Sequence, residues 1–181
     1  AGDRPLDEQF DAWRDRHLPG AEIAFRPPAD WLNRTAPTEH DPWRGRLLVG
    51  EVHDENAAAI GGVAGHAGLF GTAEAVGRSA RWWMREARAS AVHAAFWRRG
   101  RVAGSSRALA WDTMRPTSSC GTRMSPEAVG HTGFTGTSLW IDPASGVYVA
   151  LLSNRVHPSR AGDAMARLRP AVHDAVADDL G

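Results

Sequence analysis

The sequence predicts an α/β protein of the α+β kind, in which an antiparallel sheet carries helices on both faces. Three observations point to it. The run Val147-Tyr148-Val149-Ala150-Leu151-Leu152 is apolar at nearly every position, as suits a strand covered on both sides. It follows Leu139-Trp140-Ile141 across the five-residue turn Asp142-Pro143-Ala144-Ser145-Gly146, a β-hairpin pattern. Two segments of helical period accompany it. Thr72 caps the first, with Val76, Ala80, Trp83 and Ala87 on one face. The second lies near the C-terminus with Met165, Leu168, Val172 and Val176 in a stripe, where Pro170 either kinks the helix or marks its start.

The other elements follow in order. Asp3 caps an opening helix whose apolar positions are Leu6, Phe10 and Trp13, and Pro19-Gly20 ends it. From Arg26 to Arg46 the prolines Pro27, Pro28, Pro37 and Pro42 remove donors and fix φ too often for a helix or a central strand, so a long ordered loop is expected. Leu47 to Val49 reads as a short extended piece, and Val52 to Ile60 carries His53-Asp54-Glu55-Asn56 before an alanine run that suits a helix. Gly61 to Gly68 holds four glycines in eight residues, a backbone that turns sharply or is approached closely. Val92, Phe96 and Trp97 have the spacing to continue the preceding helix, the cluster Arg98 to Arg101 suits a solvated turn, Ala108 to Trp111 reads as a short strand, and Pro116 to Pro126 as a polar loop.

At 181 residues, with 43% hydrophobic and 23% charged residues, the chain suits one domain over 1–181 with a real core. Within it, 1–104 is expected to be mainly helix and loop, and 105–181 to hold the sheet hairpin and C-terminal helix. The 21 basic residues balance 21 acidic ones and form no long run, so nothing argues for nucleic acid. All the basic residues are Arg, so no motif that needs a Lys exists in this chain. Cys120 is the single cysteine, which precludes an internal disulfide and suits a loop or core thiol. No apolar run reaches membrane-spanning length.

Histidines draw the eye as chemistry. A zinc centre from His53, Asp54, His66 and His131 would use proper ligand types, but the spacing fits no standard pattern, and neither metal nor cofactor is expected. Bracing of loops is the better account of His53, Asp54 and His66. Ser138, His131 and Asp142 make a triad only on paper, because no Gly-x-Ser-x-Gly turn accompanies them. The glycines of 61–68 lack the Lys of a phosphate-binding loop. What remains is Gly130-His131-Thr132-Gly133-Phe134-Thr135-Gly136, which brings a histidine, two hydroxyls and three glycines to the edge of the hairpin.

His131-Thr132-Gly133 followed by strands and a C-terminal helix resembles the third motif, Lys-Thr-Gly or His-Thr-Gly, of the serine β-lactamase and penicillin-binding-protein superfamily. Three longer phrases strengthen the likeness. They are Gly50-Glu51-Val52-His53-Asp54-Glu55-Asn56-Ala57, then Gly61-Gly62-Val63-Ala64-Gly65-His66-Ala67-Gly68-Leu69-Phe70, then Gly130 to Ser138 running on to Ser153-Asn154-Arg155-Val156-His157-Pro158. Their order and spacing are similar to class C-like, β-lactamase-related serine hydrolases, and the likeness corresponds to the C-terminal portion of such enzymes.

The resemblance implies a β-lactamase/transpeptidase-like fold and acyl-enzyme chemistry on an amide or ester, such as a β-lactam, a cell-wall peptide or a small ester. It implies that His131 gives electrostatic help, that Thr132, with Gly133 and Thr135, binds substrate, and that the Phe134 backbone N–H completes an oxyanion hole. His53, Asp54, Asn56 and His66 fall to loop bracing or cleft lining. The family's Ser-x-x-Lys and Tyr-x-Asn are absent from these 181 residues, since there is no Lys and Tyr148, the single tyrosine, lies in a strand pattern. A serine without an adjacent base is a weak nucleophile. The expectation is therefore an incomplete site, inactive alone, with the nucleophile helix and N-terminal strands preceding the chain. Strand 147–152 would then present an open edge to a second chain. The alternative is a catalytically dead binding module. The compartment stays open, secreted or cell-envelope, with any export signal before residue 1.

Overall fold

α1 (Leu6–His17) opens the described part of the chain, residues 3–180 of the computed structural model. Residues 1, 2 and 181 of the expected 1–181 domain lie outside the described residues. Asp3 is not the cap: Pro5 holds that position at φ −52°, with no side-chain capping bond, and its carbonyl accepts from the Gln9 N–H at 3.1 Å. Acidic Asp7 and Glu8 in the first turn and Arg14, Arg16 and His17 in the last match the helix dipole. Phe10 sets its ring 5.5 Å from both Trp13 and Phe25.

The chain divides into two units, Ala1–Arg78 with Asn154–Gly162 and Ser79–Ser153 with Asp163–Gly181. In the first unit, β1 (Ile23–Phe25) leads to a 3₁₀ turn (Ala29–Arg34), then to the paired β2 (His40–Asp41) and β3 (Arg46–Leu47). The expected long loop thus holds short regular pieces: its prolines bracket the turn without entering it. α2 (Glu55–Ala59) is N-capped by Asp54, which accepts from the Ala57 N–H at 2.8 Å. β4 (Leu69–Gly71) pairs antiparallel with β1. The glycine-rich approach to β4 has a steric reason, since Gly68 sits at φ +121° and a Cβ there would lie 2.4 Å from the Gly62 carbonyl oxygen.

α3 (Ala73–Ala89) begins at the Thr72 cap, whose Oγ1 accepts from the Ala75 N–H at 3.1 Å. Its residues up to Arg78 belong to the first unit. In the second unit, Ser90 adopts an extended conformation and starts a separate α4 (Ala91–Phe96), so the helix does not continue as its apolar spacing allows. Ala108 to Trp111 is not a strand but a turn, closed by the Ala108 N–H to the Trp111 carbonyl at 2.9 Å with Ala110 at φ 63°. The strand is displaced to β5 (Asp112–Thr113).

β5, β6 (Val129–Thr132), β7 (Ser138–Asp142) and β8 (Val147–Leu151) form an antiparallel sheet in that order. Asp142 pairs with Val147, so the hairpin turn has four residues instead of five. The Asp142 carboxylate explains the shortening, because it accepts from Ala144 N–H at 3.0 Å and from Ser125 N–H and Oγ at 2.8 and 2.7 Å. Helices cover both faces of this sheet. On one, Ala80, Trp83 and Met84 of α3 pack with Val129, Ile141, Leu139 and Tyr148, while Val76 and Ala87 of the expected stripe stay outside that cluster. On the other, Trp140 and Val149 pack with Cys120, Met124, Ala128 and Val176 of α5 (Met165–Leu180). A fully buried Ile141 or Val129 stabilises the fold by roughly 1.5–3 kcal/mol. Pro170 lies inside α5, and the helix buries Met165 and His173 while Leu168 stays exposed. Among the described residues no helix is long and apolar enough to cross a membrane.

Candidate active site

The His-Thr-Gly motif straddles the end of a strand and the turn that follows it. His131 and Thr132 end β6 itself, paired with Leu139 and Ser138, and Gly133 to Thr137 is the turn into β7. β6 is an inner strand: β5 pairs with Val129 and Gly130 just before the motif, and β7 pairs with His131 and Thr132 themselves. Gly130 shows why a side chain is refused just before it: a Cβ there would lie 2.2 Å from Trp140 Cδ2 and 2.5 Å from the Leu139 carbonyl oxygen.

The turn closes on itself through the Gly133 N–H to the Thr137 carbonyl at 2.8 Å and the Gly136 N–H to the Gly133 carbonyl at 3.1 Å. Three side chains brace the turn and the first residue of β7 after it. Arg169 Nη2 donates to the Gly133 carbonyl at 2.7 Å, Ser153 Oγ to the Gly136 carbonyl at 2.8 Å, and His173 Nε2 meets Ser138 Oγ at 3.0 Å. Arg169 and His173 are four residues apart on α5 and so share a face. His131 is exposed and held at both ring nitrogens, by Arg107 Nη1 at Nε2 (2.8 Å) and by the Thr132 carbonyl at Nδ1 (2.9 Å). Thr132, Gly133 and Thr135 are half-buried and Phe134 is exposed.

The triad drawn from sequence is not assembled: Ser138 engages His173, Asp142 engages Ser125, and His131 engages Arg107. The sequence gives no sign of Arg107, Arg169 or His173, and offers Ser153 only as part of a longer phrase, without a role. Arg107 lies 24 residues before His131 with no motif around it, and only the fold brings the two together.

His53, Asp54, Asn56 and His66 belong to the first unit. His53 Nε2 lies 2.7 Å from the buried Glu39 Oε2, and Glu39 also takes Arg160 Nε and Nη2 at 3.0 and 2.7 Å. The bonds from Arg160, then from His53, outweigh burial and pull the Glu39 carboxyl down to about 2. Asp54 caps α2 and stands 3.2 Å from His66 Nε2, and its carboxyl is lowered chiefly by the Ala57 N–H. Asn56 is exposed on α2. Among the described residues no group of three or more His, Cys, Asp or Glu is placed to hold a metal ion. Burial pushes the Cys120 thiol up to about 12, which keeps it protonated.

Comparison with known proteins gives the family. The chain is 33% identical, over a 135-residue alignment covering 63% of it and 29% of the relative, to an Escherichia coli K12 protein named "Putative D-alanyl-D-alanine carboxypeptidase". It is also 33% identical, over 63% of its length and 28% of the relative, to the N-acetylmuramyl-L-alanine amidase of Bacillus subtilis 168. The chain thus spans less than a third of the length of these relatives. Its fold is similar to the crystal structure of a beta-lactamase from Mycobacterium bovis, at TM-score 0.51 and 23% identity over 62% of this chain and 46% of that one. The Beta-lactamase family model matches residues 1–173, and the chain therefore belongs to the β-lactamase family.

Proposed function

We propose that β6 and its turn form the electrophile-facing wall of a serine acyl-hydrolase acting on an amide or ester bond, of the β-lactam, cell-wall peptide or small-ester class. The observation that carries this is the position of His131-Thr132-Gly133 at the end of β6, where pairing with β7 and the bonds from Arg169 and Ser153 hold the turn. Thr132 would supply a hydroxyl to the substrate and Phe134 a backbone N–H to the developing oxyanion. The names of the relatives support a cell-wall peptide among the substrate classes. The 181 residues contain no Lys, hence no Ser-x-x-Lys, so the chain by itself is expected to be inactive. The test is hydrolysis of a β-lactam and of a D-alanyl-D-alanine peptide by the protein as the cell makes it. Thr132→Val should lower kcat/KM about 100-fold, whereas unchanged turnover removes the site.

A second reading, a binding module, is favoured by one feature: β8 ends the sheet and, among the described residues, no strand pairs with its outer edge. Covalent labelling of the 181-residue chain by a fluorescent penicillin would eliminate this reading. A mass near twice that of the monomer in sedimentation would favour it.

A further inference from the structure

We propose that Arg107 is the positioning residue of this site: it holds His131 as a neutral imidazole protonated on Nδ1, and itself supplies the positive charge beside the motif. The catalytic meaning of this rests on the function proposed above; the positioning itself does not.

The assignment follows from which groups can donate. A guanidinium only donates and a carbonyl oxygen only accepts. Arg107 Nη1 lies 2.8 Å from His131 Nε2, so Nε2 must be the accepting nitrogen. Nδ1 lies 2.9 Å from the Thr132 carbonyl oxygen, so Nδ1 must carry the hydrogen. Both bonds are satisfied by one tautomer alone, the neutral ring with hydrogen on Nδ1. A proton on Nε2 would point an N–H at a cation.

Arg107 is held in place for this role. Its carbonyl accepts from the Gly100 N–H at 2.7 Å, and its own N–H donates to Ser105 Oγ at 3.1 Å. An isolated antiparallel bridge joins Arg107 to Asp112, whose Oδ1 lies 3.7 Å from Arg107 Nε and accepts from Ser106 Oγ at 2.6 Å. Asp112 is paired in register with Gly130, the residue before His131. Arg107 is thereby fixed to the strand next to the motif.

Two consequences follow for the site. The imidazole N–H pins the Thr132 carbonyl, and with it the peptide that joins Thr132 to Gly133 at the start of the turn. Loss of Arg107 frees Nε2 to take the proton, and the tautomer that results cannot make the bond to Thr132. In addition, the guanidinium keeps its charge at any working pH. The electrostatic role that the motif's first residue suggests for His131 is then carried by Arg107.

The experiment is ¹⁵N-histidine NMR of the 181-residue chain at pH 8, above the ordinary imidazole range. His131 should show a protonated Nδ1 and an Nε2 resonance displaced from that of a free lone pair. Arg107→Met keeps the aliphatic stem without the donors, and should move Nε2 to the free-acceptor position or transfer the proton to it. Arg107→Lys should restore the original pattern. A wild-type ring protonated on Nε2, or a spectrum unchanged in Arg107→Met, overturns the proposal. In the protein as the cell makes it, Arg107→Met should lower kcat/KM at least tenfold with recovery in Arg107→Lys. The NMR response together with no turnover in any variant would instead refute the proposed function and leave the positioning role standing.

Discussion

The Nε2 of His173 on α5 lies 3.0 Å from the Oγ of Ser138 on β7, and both residues are buried within the second unit. His173 Nδ1 is buried as well and has no hydrogen-bond partner among the described residues. Charging this ring would put a second N–H where nothing accepts it.

Stability should therefore fall in mild acid. Burial, reinforced by Arg169 and opposed by Asp174, pushes the His173 pKa down to about 4 from an ordinary 6.5. Between those values the unfolded chain binds a proton that the folded chain refuses. The stability is full above pH 6.5 and is lost as pH falls toward 4, at no more than about 1.4 kcal/mol per pH unit. Urea unfolding across that range measures it, and His173→Gln should flatten the slope. A stability independent of pH from 7 to 4 would contradict the assignment.

Glu39 in the first unit gives a separate acid window. Its carboxyl, lowered to about 2 by Arg160 first and His53 next, contributes stability that is present above its ordinary value of 4.5 and is lost as pH falls through 2. Glu39→Gln should cost about 1–3 kcal/mol at neutral pH, since Arg160 and the buried His53 lose a charged acceptor. It should also flatten the pH dependence below 4.5 while leaving the His173 slope intact. Guanidinium titrations of wild type and variant at pH 7 and pH 3 distinguish these outcomes.

Much of this architecture was legible because hydrophobic period and turn chemistry are local. The apolar run 147–152, the Thr72 cap and the hairpin around Asp142 all follow from neighbours within a few residues. Errors arose where a distant partner decided the outcome. The apolar period of α5 runs through Leu168 and Val172, yet the helix turns His173 inward, where Ser138 offers a polar partner 35 residues away in the chain. Ala108 to Trp111 has strand composition, but the bridge between Arg107 and Asp112 folds it into a turn. For the site, the motif residues could be named from sequence, whereas Arg107, Ser153 and Arg169 act through contacts that no spacing encodes.

Close packing at the motif predicts an asymmetry between two glycines. Gly130→Ala drives a Cβ into the Trp140 ring and the Leu139 carbonyl, both held by the sheet, and should cost at least 1–3 kcal/mol, on the order of other overpacked cores. Gly146→Ala meets nothing within 4 Å and pays only for its φ of +75°, roughly 1 kcal/mol. Thermal unfolding followed by tryptophan fluorescence should rank Gly130→Ala well below Gly146→Ala. Equal melting temperatures would mean that β6 and β7 are not packed as described.

The bond from Arg169 Nη2 to the Gly133 carbonyl tests whether α5 rigidifies the motif turn. A charge-assisted bond of this kind is worth about 1.5–3 kcal/mol when its donor is lost. Arg169→Met keeps an aliphatic stem and removes the donors, so the loss should fall on local opening of the turn more than on global unfolding. Amide hydrogen exchange at Gly133 and Gly136, whose N–H groups close the turn, should quicken by about tenfold or more. The Trp140 and Ile141 amides within β7 should hold their rates. Uniform acceleration across β6 and β7 would assign Arg169 to general stability, and unchanged exchange at the two glycines would show that the turn holds itself without the helix.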